Sequence, residues 1–84
     1  MVIDVDEALK ERTIAFCDDE LNYHINESGY AEEYHGEILA EIELLFLLGK
    51  PDWAVEYADD YGNEILHDVD KQKELHTILD KYEK

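Results

Sequence analysis

The sequence predicts an all-α fold, a small bundle of three or four helices. Three observations carry that prediction. Apolar residues recur at intervals of three and four in successive segments, and strict alternation is absent. Turn formers are few, with one Pro and four Gly, so the chain has room for only a handful of reversals. Hydrophobic residues make up 45% of the 84, including six Tyr, two Phe and one Trp, which is enough for a core in a chain whose charge density alone would suggest disorder. A chain of this length makes one acidic helical domain, residues 1–84, with a thin core and little stability in reserve.

The first helix is expected to start at about Asp4 or Asp6 and to run to Ile25. An Asp there suits both the N-cap and the helix dipole. Leu9, Thr13, Phe16, Cys17, Leu21 and His24 form its inward face. Asn26, Glu27, Ser28 and Gly29 read as a break, with Ser28 capping the next helix. The second helix is expected from about Tyr30 to Leu48. Its stripe is Ala31, Tyr34, His35, Ile38, Ile42 and Leu45. Leu39, Leu44, Phe46, Leu47 and Leu48 widen that stripe until the C-terminal half is apolar nearly all round, the pattern of a central helix. Gly49 ends it, and Pro51 opens the third helix. Trp53, Tyr57, Ala58, Tyr61, Ile65, Leu66 and Val69 follow the helical period there, and Gly62-Asn63 predicts a kink or short break. The last helix carries Leu75, Ile78, Leu79 and Tyr82, with Lys71, Lys73, Lys81 and Lys84 alongside. It either continues the third helix or turns back after residues 67–70.

Charge narrows the function classes. Residues 13–70 hold sixteen Asp and Glu and one basic residue, Lys50, in a chain of formal net charge −16 at pH 7. A field this one-sided repels nucleic acid and acidic membrane surfaces, so direct contact with either is not expected. It attracts basic protein surfaces or metal cations. On the third helix Asp52, Glu56, Asp59, Asp60, Glu64 and Asp68 recur at three and four in one column. Successive members lie roughly 5–6 Å apart, of the same order as neighbouring phosphates along a DNA strand. Glu33, Glu37 and Glu41 form a second column on helix two, and Asp18, Asp19 and Glu20 cluster on helix one. A carboxylate column is ordinarily a solvated face. The missing counter-charge argues for more, because like charges one turn apart repel and ordinary surfaces interleave both signs. Tyr30, Tyr34, Trp53, Tyr57 and Tyr61 belong to the core or its edge, where such residues also anchor interfaces.

In size and charge the chain resembles small inhibitors that mimic DNA or plug basic sites, such as phage anti-restriction and anti-CRISPR proteins and the immunity proteins of nuclease toxins. The resemblance is compositional. It implies a protein that occupies a groove built for nucleic acid, with electrostatics setting a fast on-rate.

Other constellations point elsewhere. Glu32-x-x-His35 and Glu64-x-x-His67 each set a carboxylate and an imidazole one turn apart. Two such pairs are part of the ligand set of di-iron bundles, which need a further Glu from each of two other helices. His35 borders the apolar stripe and His67 the acidic side, so the pairs are not expected to converge, and no metal or cofactor is expected. Glu56-x-x-Asp59 is similar to half of the motif of all-α nucleotide pyrophosphatases related to MazG, which bind Mg²⁺ and a triphosphate. The other half is absent: Glu33 and Glu37 are four apart, and Glu32 pairs at three with His35. Cys17 is the single cysteine, which excludes an internal disulfide and fits a reducing cytosol. Its acidic neighbours should raise its pKa, so a core thiol is expected rather than a catalytic thiolate. Asp4, Asp6 and Glu7 interrupt any signal-peptide run, and residues 44–48 are too short to span a bilayer.

The expected function is a non-enzymatic, cytoplasmic, acidic inhibitor that binds and blocks a basic, nucleic-acid-handling protein. Expected contact residues are Asp52, Glu56, Asp59, Asp60, Glu64 and Asp68, with Glu33, Glu37, Glu41, Tyr57 and Tyr61. The alternatives are a pyrophosphatase-like enzyme and a helical regulatory module. A homodimer through the apolar end of helix two is a further way to cover surface.

Overall fold

The structure is a computed structural model that describes residues 6–83, all helix and connection. The helices are α1 (Glu7–Asn22), α2 (His35–Leu47), α3 (Pro51–Glu64) and α4 (Val69–Tyr82), and no strand occurs among the described residues. The four helices share one core. The alternative start at Asp4 lies outside the described residues.

Asp6 caps α1, its carboxylate accepting from the Leu9 amide at 2.9 Å. The inward face is Ile14, Cys17 and Leu21. This corrects the expected stripe, because Phe16 is 58% and Leu9 44% exposed. The interval of three and four fits two neighbouring stripes on this helix, and the one through Ile14 wins. After α1 the helix widens into a single π-turn, Tyr23–Glu27, closed by the Ser28 amide bonding the Tyr23 carbonyl at 2.8 Å. Both His24 and Ile25 are buried there. The break after it falls at Gly29, whose φ of +75° favours glycine. Ser28 closes this end rather than capping the next helix. Its hydroxyl donates to the His24 carbonyl at 2.8 Å and accepts from the Tyr30 amide at 3.1 Å.

A short 3₁₀ turn, Ala31–Tyr34, leads into α2. Ile38, Ile42, Leu45 and Leu48 are buried, and α2 packs against α1, α3 and α4, so it is the central helix as its pattern predicts. Its end is a Schellman turn. The Lys50 amide bonds the Leu45 carbonyl at 2.8 Å and the Gly49 amide bonds that of Phe46 at 3.3 Å, with Gly49 at φ +85°.

Pro51 sits in the first turn of α3. Ala54, Ala58 and Tyr61 face the core, followed by Ile65. Trp53 is 39% exposed, and Leu66 and Val69 are exposed. The expected break at Gly62-Asn63 is absent, and α3 runs through it to Glu64. The Gln72 side-chain Nε2 donates to the carbonyls of Gly62 at 2.8 Å and Ile65 at 3.2 Å, holding the last turn of α3. The chain then starts a separate helix. Asp68 caps α4 by accepting from the Lys71 amide at 3.0 Å, and Leu75 is buried in the core.

Candidate functional site

The outward face of α3 carries Asp52, Glu56, Asp59, Asp60 and Glu64, all exposed. Helical spacing places them there because Ala54, Ala58 and Tyr61 turn the other side inward. The sixth member of the expected column is elsewhere. Asp68 lies beyond the end of α3, pairs with Lys71 Nζ at 2.9 Å and is held low by its bonds to the Lys71 amide and ammonium.

Beside this face α1 presents Asp18 and Asn22, and the π-turn presents Asn26. Together with Trp53, Glu56, Tyr57 and Asp60 they line a shallow, open depression. Trp53 also lines a second depression with Glu11, Ile14, Ala15, Asp18 and Lys50. The two helices are tied here by Tyr57, whose hydroxyl donates to the Asp18 carboxylate and lies 3.2 Å from the Asp18 carbonyl. Burial and that carboxylate raise the Tyr57 pKa, so the phenol stays protonated and remains a donor. Tyr57 is therefore half-buried and engaged within the chain, not free as an anchor.

Glu33 of the second column is exposed and lines a third depression with Glu32 and Glu64, which brings the two columns together at that end. Glu37 is exposed as well. Glu41 is not, being 7% exposed, which removes it from the expected contact surface. A step of four drifts about 40° around an α-helix, and the step from Glu37 to Glu41 carries the column from solvent into the core beside Ile38, Ile42 and Leu45. Glu41 Oε1 lies 3.5 Å from His24 Nδ1, and neither atom has a hydrogen-bond partner among the described residues. Burial, then Glu20 and Glu37, raise the Glu41 pKa from 4.5 to about 7. The Tyr34 ring stacks on His24 at 4.0 Å. Cys17 is fully buried, and burial with Glu41 nearby pushes its thiol up to about 11, which makes it an inert core group.

Tyr61 is also removed from the surface, at 0% exposure. Its hydroxyl is 2.6 Å from His35 Nδ1, and His35 Nε2 is 2.5 Å from a Glu74 carboxylate oxygen. This bridge joins α2, α3 and α4. The two Glu-x-x-His pairs accordingly divide: Glu32 pairs across to His67 at 2.9 Å, while His35 turns to Tyr61 and Glu74. No group of three or more His, Cys, Asp or Glu side chains suited to a metal occurs among the described residues.

Two further lysines have partners. Lys81 and Tyr82 both reach Glu43, at 3.1 and 2.5 Å, and these bonds hold the Glu43 carboxyl below its usual range. Lys50 rests over the Trp53 ring, 5.0 Å from its centroid. Among the described residues none of Asp52, Glu56, Asp59, Asp60 and Glu64 is in an ion pair. No described helix is long and apolar enough to cross a membrane. Comparison with protein-family models, with curated proteins and with solved structures finds no match.

Proposed function

We propose that this chain binds a basic, nucleic-acid-handling protein and blocks it, using the carboxylate face of α3 in place of nucleic acid. A nuclease or a phage-defence effector is the class of target that fits. One observation carries the reading. Five exposed carboxylates share one helix face without an ion pair, and Lys50, the single Lys or Arg in residues 13–70, stacks on Trp53 instead of neutralising them. Along an α-helix of 14 residues that face extends about 21 Å. Asp18, held by Tyr57, and Glu33 extend it sideways onto neighbouring elements.

The test is displacement of duplex DNA from basic nucleases, followed at rising salt. Inhibition should fall steeply as salt screens the exposed charges. Replacing Glu56, Asp59 and Asp60 together by Lys should slow association by about tenfold or more while changing dissociation less. Inhibition indifferent to both salt and the reversal would remove the mimic reading. Magnesium-dependent hydrolysis of nucleoside triphosphates that is lost in Glu56→Gln would replace it with an enzyme.

A further inference from the structure

The outer face of α1 holds a seam that the core does not use. Leu9, Phe16 and Tyr23 are 44%, 58% and 48% exposed. They are seven residues apart, two turns each, so they line up within about 40° on the helix surface. Phe16 points away from the face formed by Ile14, Cys17 and Leu21. Arg12 stands on one flank of the seam. It is the only arginine in a chain with 23 acidic residues, yet it makes no ion pair among the described residues, and its Nε bonds only the Ala8 carbonyl, at 3.3 Å.

We infer that this seam is a homodimer interface, with α1 packing antiparallel on α1 of a second copy about a two-fold axis at Phe16. The geometry decides the occupant. Arg12 and Asp19, four before and three after Phe16, share one flank. An antiparallel two-fold pairing sets Arg12 opposite Asp19 of the second copy, and the reverse, so two ion pairs form at once. The other flank sets Glu20 opposite Thr13. Phe16 meets its own copy, and Leu9 meets Tyr23 of the second copy. Between Leu9 and Tyr23 no carboxylate is placed against a carboxylate in this arrangement.

The acidic face stays clear of it. Asp18, which lines the depression shared with α3, lies about 200° around the helix from Phe16. A dimer therefore presents two copies of the α3 face at once. The seam spans about 21 Å of helix, at the weak end of specific interfaces. Two monomers of charge −16 also repel, so added salt should tighten this association. That is opposite in sign to the effect expected on binding a basic partner.

Sedimentation velocity of the full chain, from low micromolar to millimolar concentration, reads the equilibrium. Phe16 is exposed, so Phe16→Ser should leave helicity unchanged by circular dichroism while raising the dimer dissociation constant about tenfold or more. Arg12→Glu and Asp19→Lys should each weaken self-association, since each sets like charges against one another across the two-fold axis. An equimolar mixture of those two variants should restore it. In the mixed dimer the two introduced charges are opposite in sign and face each other, and the unaltered Arg12 of one copy faces the unaltered Asp19 of the other. A monomer at every concentration and salt overturns the inference. A dimer unmoved by Phe16→Ser and by the charge exchange overturns it in favour of another face, such as the apolar end of α2.

Discussion

Glu41 enters the core with Oε1 unbonded and with Glu20 and Glu37 as electrostatic neighbours. His24 faces it from the π-turn and Cys17 from α1. A carboxyl raised from 4.5 to about 7 holds its proton more tightly in the folded chain than in the unfolded one. Its contribution to stability is therefore complete below about pH 4.5 and is lost as pH rises through about 7. Glu41→Gln keeps the shape and removes the charge. At about pH 8 its melting midpoint should exceed the parent's by several degrees, a gain of ~1–3 kcal/mol, and the two midpoints should converge below about pH 5. Melts across that range decide it. A parent at least as stable as Glu41→Gln at the upper end would show that the folded chain holds Glu41 ionised without a penalty. The inward turn of Glu41 was legible only as drift in the four-residue spacing, and its position on an otherwise acidic column masked it. The Asp18–Tyr57 and His35–Tyr61–Glu74 contacts had no sequence signal at all. Their members stand 26 to 39 residues apart, and a buried Tyr reads the same as an edge Tyr until its hydroxyl partner is known. Asp6 was legible because a cap is a local bond.

Among the elements, α2 carries the core. Ile42 is 0% exposed between three neighbouring helices. Ile42→Asp buries an unpaired carboxylate at a cost of several kcal/mol, more than a domain of this size holds in reserve, and should abolish the cooperative circular dichroism melt. Glu37→Lys is the contrasting case on the same helix. It removes one of the charges acting on Glu41 and should leave the midpoint unchanged or raised. A cooperative Ile42→Asp melt near the parent's midpoint would place the core elsewhere. The order of the helices was legible because Gly49 and Pro51 mark one boundary and Gly29 another, each through backbone geometry that the residue itself dictates. The third boundary was misread in part. Gly62 weakens a helix by only ~1 kcal/mol, and Gln72, ten residues on, holds the turn together.

For the whole molecule, the 23 acidic residues set the response to ions. Exposed carboxylates on α3 repel one another without counter-charge, and this repulsion is relieved within a screening length of about 10 Å at 0.1 M salt. Sodium chloride should therefore raise the melting midpoint of the isolated chain by several degrees before levelling off. A midpoint that falls with salt would mean that the ion pairs at Asp68–Lys71 and Glu43–Lys81 outweigh the repulsion. Net charge was fully legible from composition. Its unequal use was not, because Lys71 and Lys81 of α4 engage rim carboxylates and leave the α3 face bare.

Trp53 is the only tryptophan, partly in solvent, and it borders two depressions on the acidic side. Its indole is thus a single intrinsic chromophore reporting on one side of the molecule. A protein settling on α3 would dehydrate that ring and lift Lys50 from it, moving the emission to shorter wavelength. Pairing through Phe16, on the far side of α1, would leave the spectrum where it was. One fluorescence titration can therefore tell which surface is occupied before any partner has been crystallised.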